Sequence, residues 1–175
     1  MRHRLRILGI DPGSRRTGFG IVDVGVNERG PRYVTCGQIS TAAGSFPDRL
    51  RSIFNGVHSI VDEFAPDVLS IENVFVHRNA QSALKLGQAR AAALCASFTA
   101  GVEVFEYAPR EIKLAIVGTG AASKEQVQHM VQSLLTLDGT PGSDAADALA
   151  AALCHAHRRN AEQLIGSVRS TGVGW

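Results

Sequence analysis

A buried strand that runs straight into a carboxylate constrains this chain more than any other feature. Arg6-Ile7-Leu8-Gly9-Ile10-Asp11-Pro12-Gly13-Ser14 opens with a short apolar run that reads as a strand. Asp11 ends it, and Pro12-Gly13-Ser14 forces a turn. A carboxylate at the end of a buried strand is costly unless a cation or a metal ion pairs with it. Taken alone, Asp11 could simply open a tight turn. Three further acids stand where they could join it.

The rest of the chain places those acids. Thr17–Val24 and Arg32–Ile39 read as two more strands, separated by turn material from Gly25 to Pro31. Three strands on short loops predict an antiparallel meander. Phe46 to Phe64 then changes to helical period, with Leu50, Ile53, Phe54, Val57, Ile60, Val61 and Phe64 at three- and four-residue steps. Val68–Glu72 is a fourth strand, and it also ends on an acid. Ala80 to Ala100 is a long Ala-rich helix closed by Gly101. Val102–Glu106 is a fifth strand, and Pro109 opens a short helix to Val117. Ser123-Lys-Glu-Gln126 is a capping box for a helix to Leu135. Ser143 can cap a last helix from Asp144 to Arg159, and Gly166 to Trp175 reads as a frayed end. A meander followed by right-handed crossovers gives an α/β domain with a five-stranded mixed sheet flanked by helices. The first and fourth strands then lie side by side, which brings Asp11 near Glu72.

Asp144 and Asp147, three residues apart, share a helix face. Singly, Asp144 could complement the helix dipole, and Glu72 could pair with Arg78 or Arg110. Together, four clustered carboxylates repel, and each raises the proton affinity of the others. Divalent cations remove that repulsion, and an all-oxygen ligand set selects Mg²⁺ or Mn²⁺ over zinc. Such a cage, holding one or two ions, is the usual apparatus for phosphodiester hydrolysis. His155 and His157 lie further along the last helix and read as ordinary histidines rather than ligands.

Composition narrows the setting. At 175 residues the chain suits one domain with a real core, and 45% apolar residues exclude disorder. The net charge of +2 neither demands nor forbids a nucleic acid partner, so any basic surface is local. Cys36, Cys95 and Cys154 form no C-x-x-C pair, which argues against a disulfide framework or zinc site and for a reducing cytoplasm. The apolar run after Met1-Arg-His-Arg4 is too short for a signal peptide, and no window suits a membrane span. Basic residues cluster in and around the connectors as His77-Arg78, Lys85, Arg90, Arg110, Lys113 and Lys124, where phosphate contacts would use them. Phe75 lies three residues beyond Glu72 in a polar connector, where a ring could stack on a base or cap the core.

Ile7-Leu-Gly-Ile-Asp-Pro-Gly-Ser-Arg15, Thr17-Gly18, Ile71-Glu-Asn-Val-Phe75, the run Asn79–Arg90, Val127-Gln-His-Met130 and Asp144-Ala-Ala-Asp-Ala-Leu149 resemble the bacterial RuvC-type Holliday junction resolvases. The resemblance spans Leu5 to His157. It implies a ribonuclease-H-like fold, a homodimer, a divalent metal requirement and symmetric cutting of four-way DNA during recombination and repair. It carries the catalytic and metal-binding roles onto Asp11, Glu72, Asp144 and Asp147, and DNA contacts onto Lys113 and Lys124. It favours base stacking for Phe75. It also implies a branch-migration helicase partner of the RuvA-RuvB type and action in the cytoplasm at the nucleoid. The nuclease domain is expected over 1–160 and a flexible tail over 161–175. Two other readings share parts of the pattern: an actin-like ATPase or kinase fragment, whose first strand also carries Gly-x-Asp-x-Gly, and an RNA-processing nuclease of the same fold. A non-catalytic junction binder would have no use for all four acids.

Overall fold

The computed structural model describes residues 4–25, 30–41, 44–73 and 79–171, the last nine of these by backbone alone. The element order is β1 (Arg4–Asp11), β2 (Arg16–Gly25), β3 (Arg32–Ser40), α1 (Phe46–Phe64), β4 (Val68–Glu72), α2 (Ala80–Phe98), β5 (Glu103–Tyr107), α3 (Pro109–Val117), α4 (Lys124–Leu134) and α5 (Ser143–Thr171). The sheet order is β3-β2-β1-β4-β5. The three meander strands are antiparallel, and β4 and β5 add in parallel to β1, as the crossover argument requires.

Strand alternation divides the core. Leu8, Ile10, Leu69 and Ile71 face α1 and α2, where they pack on Ile53, Val57, Val61, Ala89 and Ala93. Ile7 and Val22 face the other way, against the Ala-rich buried stretch of α5 and the short helices α3 and α4. Asp11 is two and four residues from Gly9 and Ile7, so its side chain leaves β1 on the α5 side.

Glycines bring α5 unusually close to the sheet. A Cβ at Gly9 would lie 2.8 Å from the Ala152 nitrogen and 3.0 Å from the Ala148 carbonyl carbon. One at Gly18, the β2 partner of Asp11, would lie 2.5 Å from the carbonyl carbon of Asp144. Ala145, Ala146, Ala148 and Ala150–Ala152 are all buried, and where Gly9 and Gly18 meet the backbone of α5 no side chain of either surface holds the two apart.

Local signals behave as the sequence suggests at most ends. Ser45 and Asp48 form a capping box on α1, and Ser123 and Gln126 form one on α4. β5 is shifted by one residue, to Glu103–Tyr107. The last helix departs further from expectation. It starts at Ser143, with the Ala146 amide donating to the Gly142 carbonyl at 2.8 Å, so Ser143 is its first residue and not its cap. It also runs on to Thr171, past the expected end at Arg159 and into the stretch from Gly166 expected to fray. The helix formers Ala161 to Ile165 and the Arg158–Glu162 pair at 3.4 Å offset the single Gly166. The boundary expected at 160/161 therefore falls inside α5. The tip of the β2–β3 turn and residues 172–175 lie outside the described residues. Among the described residues, no helix is long and apolar enough to cross a membrane.

Candidate active site

The loop after Asp11 is tied down by hydrogen bonds of its own. The buried Thr17 hydroxyl donates to the Gly13 carbonyl at 3.0 Å. Thr41 Oγ1 donates to the Ser14 carbonyl at 2.9 Å, and the Thr41 amide to the Arg15 carbonyl at 2.9 Å. Asp11 is thus held by a ladder on one side and a closed turn on the other.

β1 and β4 pair in register as far as Ile10 opposite Ile71, so Asp11 and Glu72 are the next residues on neighbouring strands and share the α5 face. A cleft of about 260 Å³ opens there, lined by Asp11, Glu72, Lys113, Lys124 and Asp147 over a floor that includes Ile112, Val127 and Ala150. Asp144 does not line it, but its charge is felt at both Asp11 and Lys124.

The electrostatics are those of carboxylates short of positive charge. Burial, then the charges of Asp147 and Glu72, push Asp11 up to about 8, against only the opposing pull of Lys124. Glu72 is also raised, by burial and then by Asp147, with Lys124 and Lys113 opposing. Lys124 Nζ donates to Asp147 Oδ2 at 2.9 Å, and that bond raises the lysine above its ordinary value. Among the described residues no three His, Cys, Asp or Glu side chains are gathered into a finished metal cage. The acids instead border a cleft in which two ammonium groups, Lys124 and Lys113, meet part of their charge. The donors are all oxygen, which fits a hard divalent cation and not zinc.

The other sequence-derived candidates fall in different places. Lys113 and Lys124 reach the cleft. Lys85 is exposed on α2, 6.0 Å from the Phe46 ring centroid. Arg90 turns inward, onto Glu106, Asn73 and the Glu72 carbonyl. Phe75 and Arg78 lie outside the described residues, as does most of their connector. His155 is buried, with Nδ1 2.8 Å from the Tyr107 hydroxyl, and burial lowers its proton affinity. His157 Nδ1 is 3.1 Å from the Ala115 carbonyl oxygen. Both histidines serve the fold. Sequence reasoning missed Gly9 and Gly18, whose absent side chains let the acid-bearing turn of α5 reach the sheet. The signal was available in the small residues of β1 and β2 and the alanines of α5, but only to a reading that paired those elements.

A sheet of order 3-2-1-4-5 with acids at the ends of its two central parallel strands, and another acid delivered by a helix across them, has the ribonuclease-H-like fold. Within that class the chain belongs to the family described as crossover junction endodeoxyribonuclease RuvC, whose model matches residues 7–155. It is 54% identical to the crossover junction endodeoxyribonuclease RuvC of Methylococcus capsulatus over 154 residues, 88% of this chain and 92% of the relative. It is 49% identical to that of Hahella chejuensis over 170 residues, 97% and 98% of the two chains. A solved structure of Thermus thermophilus RuvC in complex with Holliday junction substrate superposes with a TM-score of 0.83 at 35% identity, over 90% of this chain and 96% of that one.

Proposed function

We propose that this chain resolves four-way DNA junctions by paired hydrolytic cuts during recombination and repair. The observation that carries the reading is the delivery of Asp11 and Glu72 from adjacent parallel strands, with Asp147 from α5, into one cleft rimmed by Lys113 and Lys124. Asp11, Glu72, Asp144 and Asp147 would hold Mg²⁺ or Mn²⁺, one or two ions per site. A bound ion of this kind activates water and stabilises the leaving oxygen. Lys113 and Lys124 pair with the phosphates next to the scissile bond, and Lys85 and Arg78 with phosphates further out. Phe75 stacks on a base unpaired at the crossover. A DNA phosphate would compete with Asp147 for Lys124, whose Nζ donates to Asp147 Oδ2 at 2.9 Å.

Two symmetric cuts need two sites, which a twofold dimer supplies. The exposed face of α2 suits it. Leu84 and Phe98, at 67% and 60% exposed, are fourteen residues apart and so lie four turns apart on one face. A second copy of this chain is the occupant we assign to that face. A junction-binding helicase assembly of the RuvA-RuvB type would present the substrate in the cytoplasm. Neither an actin-like ATPase nor an RNA-processing role gains any observation from the site.

The test uses a synthetic four-way junction and a linear duplex of the same sequence, with and without Mg²⁺ or Mn²⁺. The reading requires metal-dependent, paired nicks in the junction alone. It also requires that Asp11→Asn bind the junction without cutting it, because neutralising an acid removes repulsion of DNA together with a metal ligand. Phe75→Ala should leave the melting temperature unchanged and lower cleavage by one to two decades, since base stacking is worth about 1–3 kcal/mol. A junction already unpaired at its crossover should partly rescue it. Equal cutting of duplex and junction would sink the proposal.

A further inference from the structure

Arg90 engages the catalytic strand from behind. Its side chain, 17% exposed, reaches the sheet from α2. Nη2 lies 2.9 Å from Glu106 Oε1 and donates to Asn73 Oδ1 at 3.3 Å, while Nε donates to the Glu72 main-chain carbonyl at 3.3 Å. Glu106 pairs with Ile71 in the β4–β5 ladder, so its side chain leaves the sheet on the α1–α2 face, where Ile71 is buried. The carboxylate of Glu72 leaves on the opposite face, into the cleft with Asp11 and Asp147. One residue therefore has its main chain gripped on one side of the sheet and its side chain exposed to the chemistry on the other.

The grip falls where the sheet itself gives out. The last β1–β4 pair is Ile10 with Ile71, so Glu72 lies one residue beyond any support from β1. On its other side Glu72 still pairs with Tyr107, and the Asn73 amide donates to the Tyr107 carbonyl at 2.8 Å. Arg90 donates to a main-chain acceptor and a side-chain acceptor at two consecutive residues, and Glu106 orients its guanidinium. A planar fork can serve several acceptors at fixed angles, which an ammonium group cannot do.

We propose that Arg90 is a positioning residue that fixes the Glu72 end of β4, and that its charge is spent inside the protein on Glu106 and not on DNA phosphate. The proposal rests on the reading of Glu72 as an active-site carboxylate. It replaces the expectation that Arg90 contacts DNA.

The test compares Arg90→Met and Arg90→Lys with wild type by four measurements: hydrogen exchange of the Asn73 amide, Mn²⁺ affinity without DNA, junction affinity as a function of salt, and single-turnover cleavage at saturating protein. Positioning predicts that Arg90→Met exchanges the Asn73 amide at least about tenfold faster. Its Mn²⁺ affinity weakens several-fold, and its cleavage falls by up to about 100-fold, the loss that an active-site shift of about 1 Å can produce. Its junction affinity and salt slope stay at wild-type values. Arg90→Lys recovers part of the rate and part of the exchange protection. A phosphate contact predicts the reverse: a salt slope lower by about 0.9, weaker binding and wild-type cleavage once DNA is saturating. That result overturns the proposal, as does unchanged exchange at Asn73. If the wild-type protein failed to cut junctions, the functional reading would fall by itself. Asn73 exchange and Mn²⁺ affinity in Arg90→Met would still decide whether Arg90 holds the strand end.

Discussion

Gly18→Ala probes how closely the site depends on the approach of α5 to the sheet. The new Cβ would lie 2.5 Å from the carbonyl carbon of Asp144 and 3.3 Å from the Ala145 nitrogen. Carbon atoms rest about 3.5–4.0 Å apart, so strand and helix must separate locally by about 1 Å or more. The part that moves is the turn of α5 that carries Asp144 and Asp147, and Gly18 is itself the β2 partner of Asp11. A displacement of about 1 Å is enough to lower a rate about 100-fold, or about 2.7 kcal/mol on the barrier. The same overpacking costs about 1–3 kcal/mol in stability. At about 2–4 °C per kcal/mol for a domain of this size, the folded protein survives at 25 °C. Gly37→Ala is the control. Its Cβ would lie 2.8 Å from the Phe19 ring, on the face of the sheet away from the carboxylates. Both variants should lose melting temperature, Gly37→Ala less because the partly buried Phe19 ring can turn where helix backbone cannot, and only Gly18→Ala should lose single-turnover cleavage of a four-way junction. Wild-type cleavage by Gly18→Ala, or equal loss in both variants, would refute the reasoning.

Three other outcomes are expected. In the absence of metal, Asp11→Asn should melt at a higher temperature than wild type, because it removes a buried carboxylate whose main neighbours are acids. Melts in Mg²⁺ should then stabilise wild type and leave Asp11→Asn little changed. Asp23 is buried and takes a bidentate bond from Arg6, Nε to Oδ1 at 2.8 Å and Nη2 to Oδ2 at 3.0 Å, which holds the carboxyl below its ordinary value. Its contribution is therefore complete above the unfolded carboxyl value of about 3.9 and is lost as pH falls through the lower folded value. Asp23→Asn should cost about 1.5–3 kcal/mol at neutral pH, because the Arg6 guanidinium it leaves behind is 34% exposed and still donates to the Phe64 carbonyl, with the difference from wild type narrowing in acid on urea unfolding curves. Lys113→Met and Lys124→Met should each lower the slope of log affinity against log salt by about 0.9 in a junction-binding titration.

The fold and the acids were legible because each rests on a local signal. Strand period is set by residues two positions apart and helix period by residues three or four apart, and Asp11 and Glu72 each end an apolar run. What could not be read are distances between elements and the partners of long side chains. Gly18 looks like an ordinary strand glycine until Asp144, more than a hundred residues later, is laid against it. Arg90 looks like any exposed helix arginine until Glu106 arrives on β5, sixteen residues on, and takes its charge. The length of α5 was hidden for another reason. Gly166 and its neighbours weaken a helix without ending one, and propensity alone sums to too little to mark the stop.

The close seating of α5 bears on how the enzyme can be switched. Many active sites ride on lids and loops, and those regions open at little cost while the rest of the protein stays folded. Here two of the four acids begin the same helix whose alanines fill the core between Gly9 and the short helices. Withdrawing Asp144 and Asp147 means breaking the central layer of the domain. Asp144 and Asp147 are therefore expected to open with the α5–sheet layer and not as a separate lid, which amide hydrogen exchange along the start of α5 would measure. Discrimination between a junction and ordinary duplex then falls to whatever brings a phosphate down to a cleft that is already built.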